Sequence, residues 1–164
     1  IFAGIAYWFP KMFGKAMNEG IGKIHFFITF IAFNCTFFPM HVIGSRGHMR
    51  RIANPYLYDF LKDTQPINQF MTVCAILLGL SQLLFIGNFF ASIFIGPKCG
   101  RNPWKANSLE WMAPSPPGHG NFDTQPIVYR GAYEYNSPHA SEDYYPQWIA
   151  PKDAKAEEAS EHGH

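Results

Sequence analysis

The sequence predicts an all-α membrane protein with two transmembrane helices, the end of a third helix and an extended, irregular C-terminal segment. Two long stretches contain no Asp, Glu, Lys or Arg, a short apolar stretch opens the chain, and proline becomes frequent beyond residue 97. Charged residues make up only 15% of the 164 residues and aromatic residues 17%. An ordinary soluble domain is about 25% charged, so the composition agrees with this fold class.

The first element is the apolar stretch IFAGIAYWF, residues 1–9, which precedes Pro10. A helix needs about 20 apolar residues to cross the hydrocarbon core, so this stretch is too short to span alone. Tyr7 and Trp8 are typical of the membrane interface. We therefore expect residues 1–9 to be the end of a helix that begins outside this sequence.

The next two elements are the uncharged stretches, residues 24–45 and residues 64–97. Each is long enough to cross a membrane as a helix, with some tilt in the second. They predict two transmembrane helices, which together with the opening stretch form a membrane part over residues 1–97.

The last element is rich in proline and shows no sustained periodicity. Pro103, Pro114, Pro116 and Pro117 exclude a continuous helix there. Trp104 and Trp111 suggest that the segment is anchored on another surface by aromatic rings. We expect an extended surface segment over residues 98–151 and a disordered polar tail over residues 152–164.

The composition excludes several function classes. A net charge of +1 and the lack of a basic run give no indication of nucleic-acid binding. The three cysteines lack ligand spacing, and no nucleophile with a base, phosphate loop or carboxylate pair is recognisable. The chain alone therefore shows no catalytic set and no metal site.

Polar residues within the first span require partners, because unpaired polar groups are costly in lipid. They are His25, Asn34, Thr36 and His41. His25 and His41 lie sixteen residues apart, roughly 24 Å along a helix, so they cannot bind the same metal ion. We expect both histidines to form hydrogen bonds inside a bundle or at an interface.

Arg50 and Arg51 follow the first span and are the strongest candidates for binding a ligand. One interpretation is that two arginines at a helix end extend to the water interface. The other is that a pair of guanidinium groups binds carboxylates or phosphates at the membrane boundary. The residues alone leave both interpretations open.

The order of several motifs resembles the last part of subunit I of the haem–copper respiratory oxidases. These motifs are YWFP, KIHFFITFIAFNCTFFPMHVIG, RGHMRRIANP, QPIN and NPWKANSLEWMAPSPPGHGNF, and they run through residues 2–122 almost without gaps. Subunit I has twelve transmembrane helices. The resemblance implies that residues 1–9 end the tenth, residues 22–44 form the eleventh and residues 66–96 form the twelfth.

The resemblance also implies roles for particular residues. Arg50 and Arg51 match the arginine pair that binds the propionates of the low-spin and high-spin haems. Phe37 matches an aromatic residue beside the low-spin haem, and Met40 stands near that haem where glutamine is frequent. His25 stands where some members are proposed to begin a proton route. His48 and Met49 depart from the family, which often has Met-Pro before the arginines, and Arg46 adds a further positive charge.

The cofactors implied are two haems, of the a type, and copper, with all metal ligands on earlier helices that this sequence lacks. The expected partners are an N-terminal portion of subunit I as a separate chain, oxidase subunits II and III, cytochrome c as electron donor, and membrane lipid. A sequence cut from a longer chain is the alternative to a split subunit.

The expected function is that of the C-terminal piece of subunit I of a cytochrome c oxidase, which reduces dioxygen to water and pumps protons. A piece of a quinol oxidase, or a non-catalytic two-helix assembly protein, are the alternatives. The expected location is the mitochondrial inner membrane, with the bacterial plasma membrane as the other choice.

Overall fold

The computed structural model describes residues 1–134 and 143–150. In that part of the chain it contains three α-helices, α1 (Phe2–Phe13), α2 (Glu19–Ser45) and α3 (Gln65–Ile95), three short 3-10 helices and no strand. The predicted all-α class with two long apolar helices is confirmed. The predicted tail, residues 152–164, lies outside the described residues. The described residues divide into two compact units, residues 18–94 and residues 1–17 together with residues 95–134 and 143–150.

In the unit of residues 18–94, α2 and α3 are both long and apolar enough to cross a membrane. The Asn18 side chain caps α2 by accepting a hydrogen bond from the Ile21 amide at 3.1 Å, which satisfies one of the free amides of the first turn. Glu19 adds a negative charge at the same end, which the helix dipole favours. α3 continues directly from a 3-10 helix over Asp59–Thr64. α2 includes the whole uncharged stretch 24–45, and α3 covers residues 65–95 of the stretch 64–97.

The two long helices are antiparallel and meet along a narrow seam of small and polar side chains. Thr29 and Ser81 share a hydrogen bond at 3.0 Å, and His25 Nε2 lies 3.4 Å from Gln82 Oε1. Helices in lipid pack through small residues and interhelical hydrogen bonds, so this seam is typical of a membrane hairpin. Only 17% of the most apolar window of either helix is buried, and the large apolar side chains are left mostly exposed.

In the other unit, α1 extends beyond the end that the sequence suggested. The sequence placed the end at residue 9, whereas the helix continues through Pro10 to Phe13. Proline lacks an amide donor and crowds the carbonyl four residues earlier, yet the residues after Pro10 keep helical geometry. Gly14 ends the helix in the left-handed conformation, with φ at 66°, and its amide donates to the carbonyl of Pro10 at 2.8 Å.

The segment after residue 97 packs against α1. Trp104 Nε1 donates to the Tyr7 carbonyl at 2.8 Å, and Trp111 Nε1 donates to the Tyr7 hydroxyl at 2.9 Å. Trp111 is only 1% exposed. The described part of this segment is therefore irregular, as its prolines suggest, and Trp111 and Ala113 within it are buried.

Candidate functional site

The candidate site is built around the turn that follows α2. The amide of Gly47 donates to Gly44 O at 3.0 Å and the amide of His48 to Ile43 O at 3.1 Å, which close the end of the helix. Gly47 has a φ of 86°, which glycine adopts without strain. Arg51 has a φ of 60°, a conformation that costs a residue with a side chain roughly 1–2 kcal/mol. Such strain persists only where surrounding contacts hold it, and it is often found at functional sites.

The turn carries an excess of positive charge. Arg46, Arg50 and Arg51 are exposed, and none has an ion pair or side-chain hydrogen bond within residues 1–134 and 143–150. Asp59, eight residues after Arg51 in the sequence, is paired with Lys62, with Nζ 2.6 Å from Oδ1. The guanidinium groups therefore remain available to an anion from outside this part of the chain.

A cleft of about 340 Å³ lies beside the turn, within the same compact unit. Its wall is mostly apolar and includes one polar pair, His48 Nε2 and Asn68 Nδ2, which lie 3.1 Å apart. The lining residues are Thr36, Met40, His48, Ile52, Pro55, Asn68, Met71, Thr72 and Ala75. An apolar wall next to unpaired arginines suits the edge of an amphipathic group whose acidic part faces the arginines.

Of the predicted residues, Met40 lies in the cleft wall and the two arginines lie in the turn beside it. Met40 lines the cleft, and Arg50 and Arg51 follow directly after His48 and Met49 in the turn. Phe37 lies three residues before Met40 on α2. It is 43% exposed and its ring centroid is 4.6 Å from that of Phe33. Phe37 is therefore free to contact a group that lies outside this chain.

His25 lies far from this cluster. It precedes Met40 by fifteen residues on α2, roughly 22 Å along the helix axis. The side chain is only 5% exposed and faces α3, where Gln82 and the ring of Phe85 contact it. The expectation of a hydrogen-bonded histidine inside a bundle agrees with this position.

Few features of the sequence indicate the residues that connect the turn to α3. His48 drew attention only as a departure from the family pattern, and Asn68 only as the last letter of QPIN. Their contact joins residues twenty positions apart, so no local spacing reports it. A polar residue near the start of an apolar span was the one available signal.

The described residues contain no group of three or more His, Cys, Asp or Glu side chains that could hold a metal ion. Cys35, Cys74 and Cys99 are free thiols. The unpaired arginines of the turn could bind an anionic group. The described residues provide no such cluster of ligands for a metal ion.

Comparison with known proteins relates the sequence of this chain to part of a known family. Residues 1–77 match the family model described as cytochrome c and quinol oxidase polypeptide I. Cytochrome c oxidase subunit 1 of Synechocystis is 45% identical over 135 residues, which are 82% of this chain and 24% of that protein. Alternative cytochrome c oxidase subunit 1 of Bradyrhizobium diazoefficiens is 42% identical over 150 residues, 90% of this chain and 25% of that protein. Cytochrome c oxidase subunit 1 of Corynebacterium diphtheriae is 41% identical over 147 residues.

The chain spans about a quarter of the length of the curated relatives it matches. The motifs that predicted the resemblance, from YWFP to QPIN, fall inside residues 1–77. Residues 1–77 therefore carry the sequence of the cytochrome c and quinol oxidase polypeptide I family, and the predicted resemblance of the chain to the C-terminal portion of haem–copper oxidase subunit I is confirmed.

Proposed function

We propose that this chain forms the C-terminal part of subunit I of a cytochrome c oxidase, where it closes one side of the haem cavity and binds haem propionates. The arginine turn is the single observation that carries the proposal. Arg50 and Arg51 are permanently charged, exposed and without an acidic partner in the described part of the chain. Two adjacent side chains of this kind would bind two separate carboxylates.

The family implies haem and copper, and the residues of this chain fit one part of that requirement. The turn offers unpaired guanidinium groups beside a mostly apolar cleft, which suits the acidic edge of a haem. Phe37 and Met40 would contact the low-spin haem from α2, Met40 from the wall of the cleft. The metal ligands would come from the earlier helices of subunit I, as the resemblance to the family implies.

Each residue has a limited task in this proposal. Arg50 and Arg51 would hold the propionates ionised, because a nearby positive charge favours the charged form of an acid. The same charges would stabilise an electron on the haem. When bound, the haems and copper supply electron transfer and the reduction of dioxygen to water, coupled in the assembled enzyme to proton pumping. His25 would contribute to a proton route from the opposite end of α2, together with Gln82.

The partners proposed for this chain are the N-terminal portion of subunit I, subunits II and III, cytochrome c and membrane lipid. The curated relatives described above are bacterial proteins named as cytochrome c oxidase subunits, which favours cytochrome c over quinol as the donor. A quinol oxidase remains the alternative, because the matching family model covers both kinds of enzyme. For the location, we propose the mitochondrial inner membrane, with the bacterial plasma membrane as the alternative that these relatives fit.

The test is to replace the arginines singly in the assembled oxidase and measure haem midpoint potentials and reduced-minus-oxidised spectra. Arg50→Gln and Arg51→Gln should each lower a haem potential by tens of millivolts, since about 59 mV corresponds to a tenfold change for one electron. Arg46→Gln is the matched control, because Arg46 is an exposed arginine of the same turn, and it should change the potentials much less. Unchanged potentials in both arginine variants would leave the two-helix assembly protein as the better explanation.

A second measurement addresses the split subunit. Denaturing electrophoresis and mass spectrometry of the purified complex should show a chain of this size together with a separate chain that carries the haem and copper ligands. A single long polypeptide that contains both parts would refute the split while leaving the proposed role of Arg50 and Arg51 intact.

A further inference from the structure

His48 is the side chain that connects the arginine turn to α3. Its Nδ1 lies 3.0 Å from Met49 O and its Nε2 lies 3.1 Å from Asn68 Nδ2. Within the described residues, no other side-chain hydrogen bond joins residues 46–53 to α3. The histidine is half-buried and forms part of the cleft wall.

The hydrogen bonds around His48 have one consistent assignment of donors and acceptors, with the Asn68 amide donating on both sides. Gln65 Nε2 donates to Leu61 O at 2.9 Å, so Gln65 Oε1 is the atom that accepts from Asn68 Nδ2 at 3.4 Å. Asn68 Nδ2 can then also donate to His48 Nε2, and His48 Nδ1–H donates to Met49 O. This assignment follows from the network, because hydrogen positions are inferred from partners. The chain of bonds begins at the carbonyl of fully buried Leu61 and ends on the backbone of the turn.

The backbone of the turn requires such a restraint. Arg51 is held in the left-handed conformation, which an unrestrained arginine rarely adopts. Proline fixes its own φ near −65°. Residue 49 is methionine, so the φ angle at this position is not fixed by a ring. The link from His48 to Asn68 lies two residues before Arg50 and supplies a restraint that Met49 does not.

We propose that His48 is a positioning residue that holds Arg50 and Arg51 in place through its hydrogen bond with Asn68. The proposal rests on the proposed function, since it assumes that the arginines act on the haem propionates. His48 itself would contact neither the propionates nor the metals. It would act only by fixing the backbone from which the arginines extend.

The experiment measures haem midpoint potentials in the assembled oxidase with His48→Leu, Asn68→Leu and the double variant. Each single variant should shift the low-spin haem potential in the direction of Arg51→Gln but by a smaller amount. The double variant should shift it no further than either single one, because both remove the same bond. His41→Leu is the control, as it removes an exposed α2 histidine that is outside the network.

A rescue variant separates positioning from general stability. Adding Met49→Pro to His48→Leu should return the potential toward that of the unaltered enzyme, because proline stiffens the turn by other means. If His48→Leu does not assemble, Asn68→Ala breaks the bond from the α3 side and is measured in its place. Unchanged potentials in the His48 and Asn68 variants, with a shift in the Arg51 variant, would overturn the role of His48 alone. Unchanged potentials in all three would overturn the proposed function as well.

Discussion

Replacing Lys11 with methionine should loosen the attachment of the C-terminal segment to α1. Lys11 is only 7% exposed. Its Nζ donates to Ala113 O at 2.6 Å and to Arg101 O at 3.1 Å, and it lies 5.1 Å from the centre of the Trp111 ring. Methionine keeps most of the apolar stem but cannot donate to either carbonyl.

The expected cost follows from what each carbonyl loses. Arg101 O retains a contact with Ser115 Oγ at 3.4 Å, whereas Ala113 O keeps no other hydrogen bond among the described residues. A buried acceptor left without a donor costs about 1–3 kcal/mol. Removing a buried charge recovers some desolvation free energy, and losing the contact with the Trp111 ring costs roughly 0.5–2 kcal/mol. These two terms oppose each other, so a net loss of about 1–3 kcal/mol is expected.

Hydrogen exchange followed by mass spectrometry measures this loss directly in the purified complex. A local opening free energy reduced by that amount raises the exchange rate of residues 104–113 by about 5- to 150-fold, since 1.4 kcal/mol is a factor of ten. Lys98→Met is the matched control, because Lys98 is an exposed lysine of the same unit. Exchange in Lys11→Met that stays within about twofold of the control would refute the reasoning.

The pH dependence gives a second check on Lys11. Burial, reinforced by the positive charge of Arg101 and opposed by Glu110, lowers the pKa of Lys11 below its usual 10.5. The folded form therefore binds the proton less tightly than the unfolded form, and the cost of burying the charge is fully present at neutral pH. As pH rises through the lowered pKa toward 10.5, the folded form loses its proton first and this cost disappears. Protection in the unaltered protein should therefore increase relative to Lys11→Met over that range, and a decrease would contradict the sign.

Further predictions concern other parts of the chain. Tyr7→Phe removes the acceptor of the buried Trp111 indole and should raise exchange of the same peptide, at a cost of about 1–3 kcal/mol. Arg51→Gly should relieve the strain at φ 60° and raise thermal stability while lowering the haem potential, whereas Arg51→Lys should leave both strain and charge in place. His25→Leu should reduce the number of protons pumped per electron more than the rate of oxygen uptake, measured in proteoliposomes. Burial raises the pKa of Cys99, so maleimide labelling of Cys99 near neutral pH should be slower than that of an exposed cysteine, and equal rates would contradict this.

The elements best predicted from sequence are those fixed by the membrane itself. An uncharged stretch of more than 20 residues has few alternatives to a spanning helix, and α2 and α3 both follow from it. The end of α1 was less predictable. The helix ends at a cap formed by Gly14, whose carbonyl also accepts a hydrogen bond from the Cys99 amide at 3.1 Å, a contact between distant residues that no local pattern reports.

The site was predictable in its charges but not in its connections. Two adjacent arginines after an apolar span are evident from the sequence alone. The left-handed conformation of Arg51 has no local signal, because arginine is not a residue that favours it. The bond between His48 and Asn68 depends on the register between the end of α2 and the start of α3, which is set by contacts such as Thr29–Ser81 much further along the hairpin.

The distribution of satisfied and unsatisfied polar groups argues for an anion at the arginine turn. Along most of α2 the polar side chains have partners: Asn34 donates to Phe30 O, Thr36 donates to Ala32 O, and Thr29 bonds Ser81 across the seam. The outer face can therefore meet lipid or another helix without leaving these groups unpaired. Some described polar side chains of α2 and its turn lack hydrogen-bond partners. They lie near the C-terminal end of the helix and in the turn, at His41, Arg46, Arg50 and Arg51. Permanent charges beside an apolar span need either water or a counter-ion, so Arg50 and Arg51 are the groups at which the proposed anion would find unpaired donors.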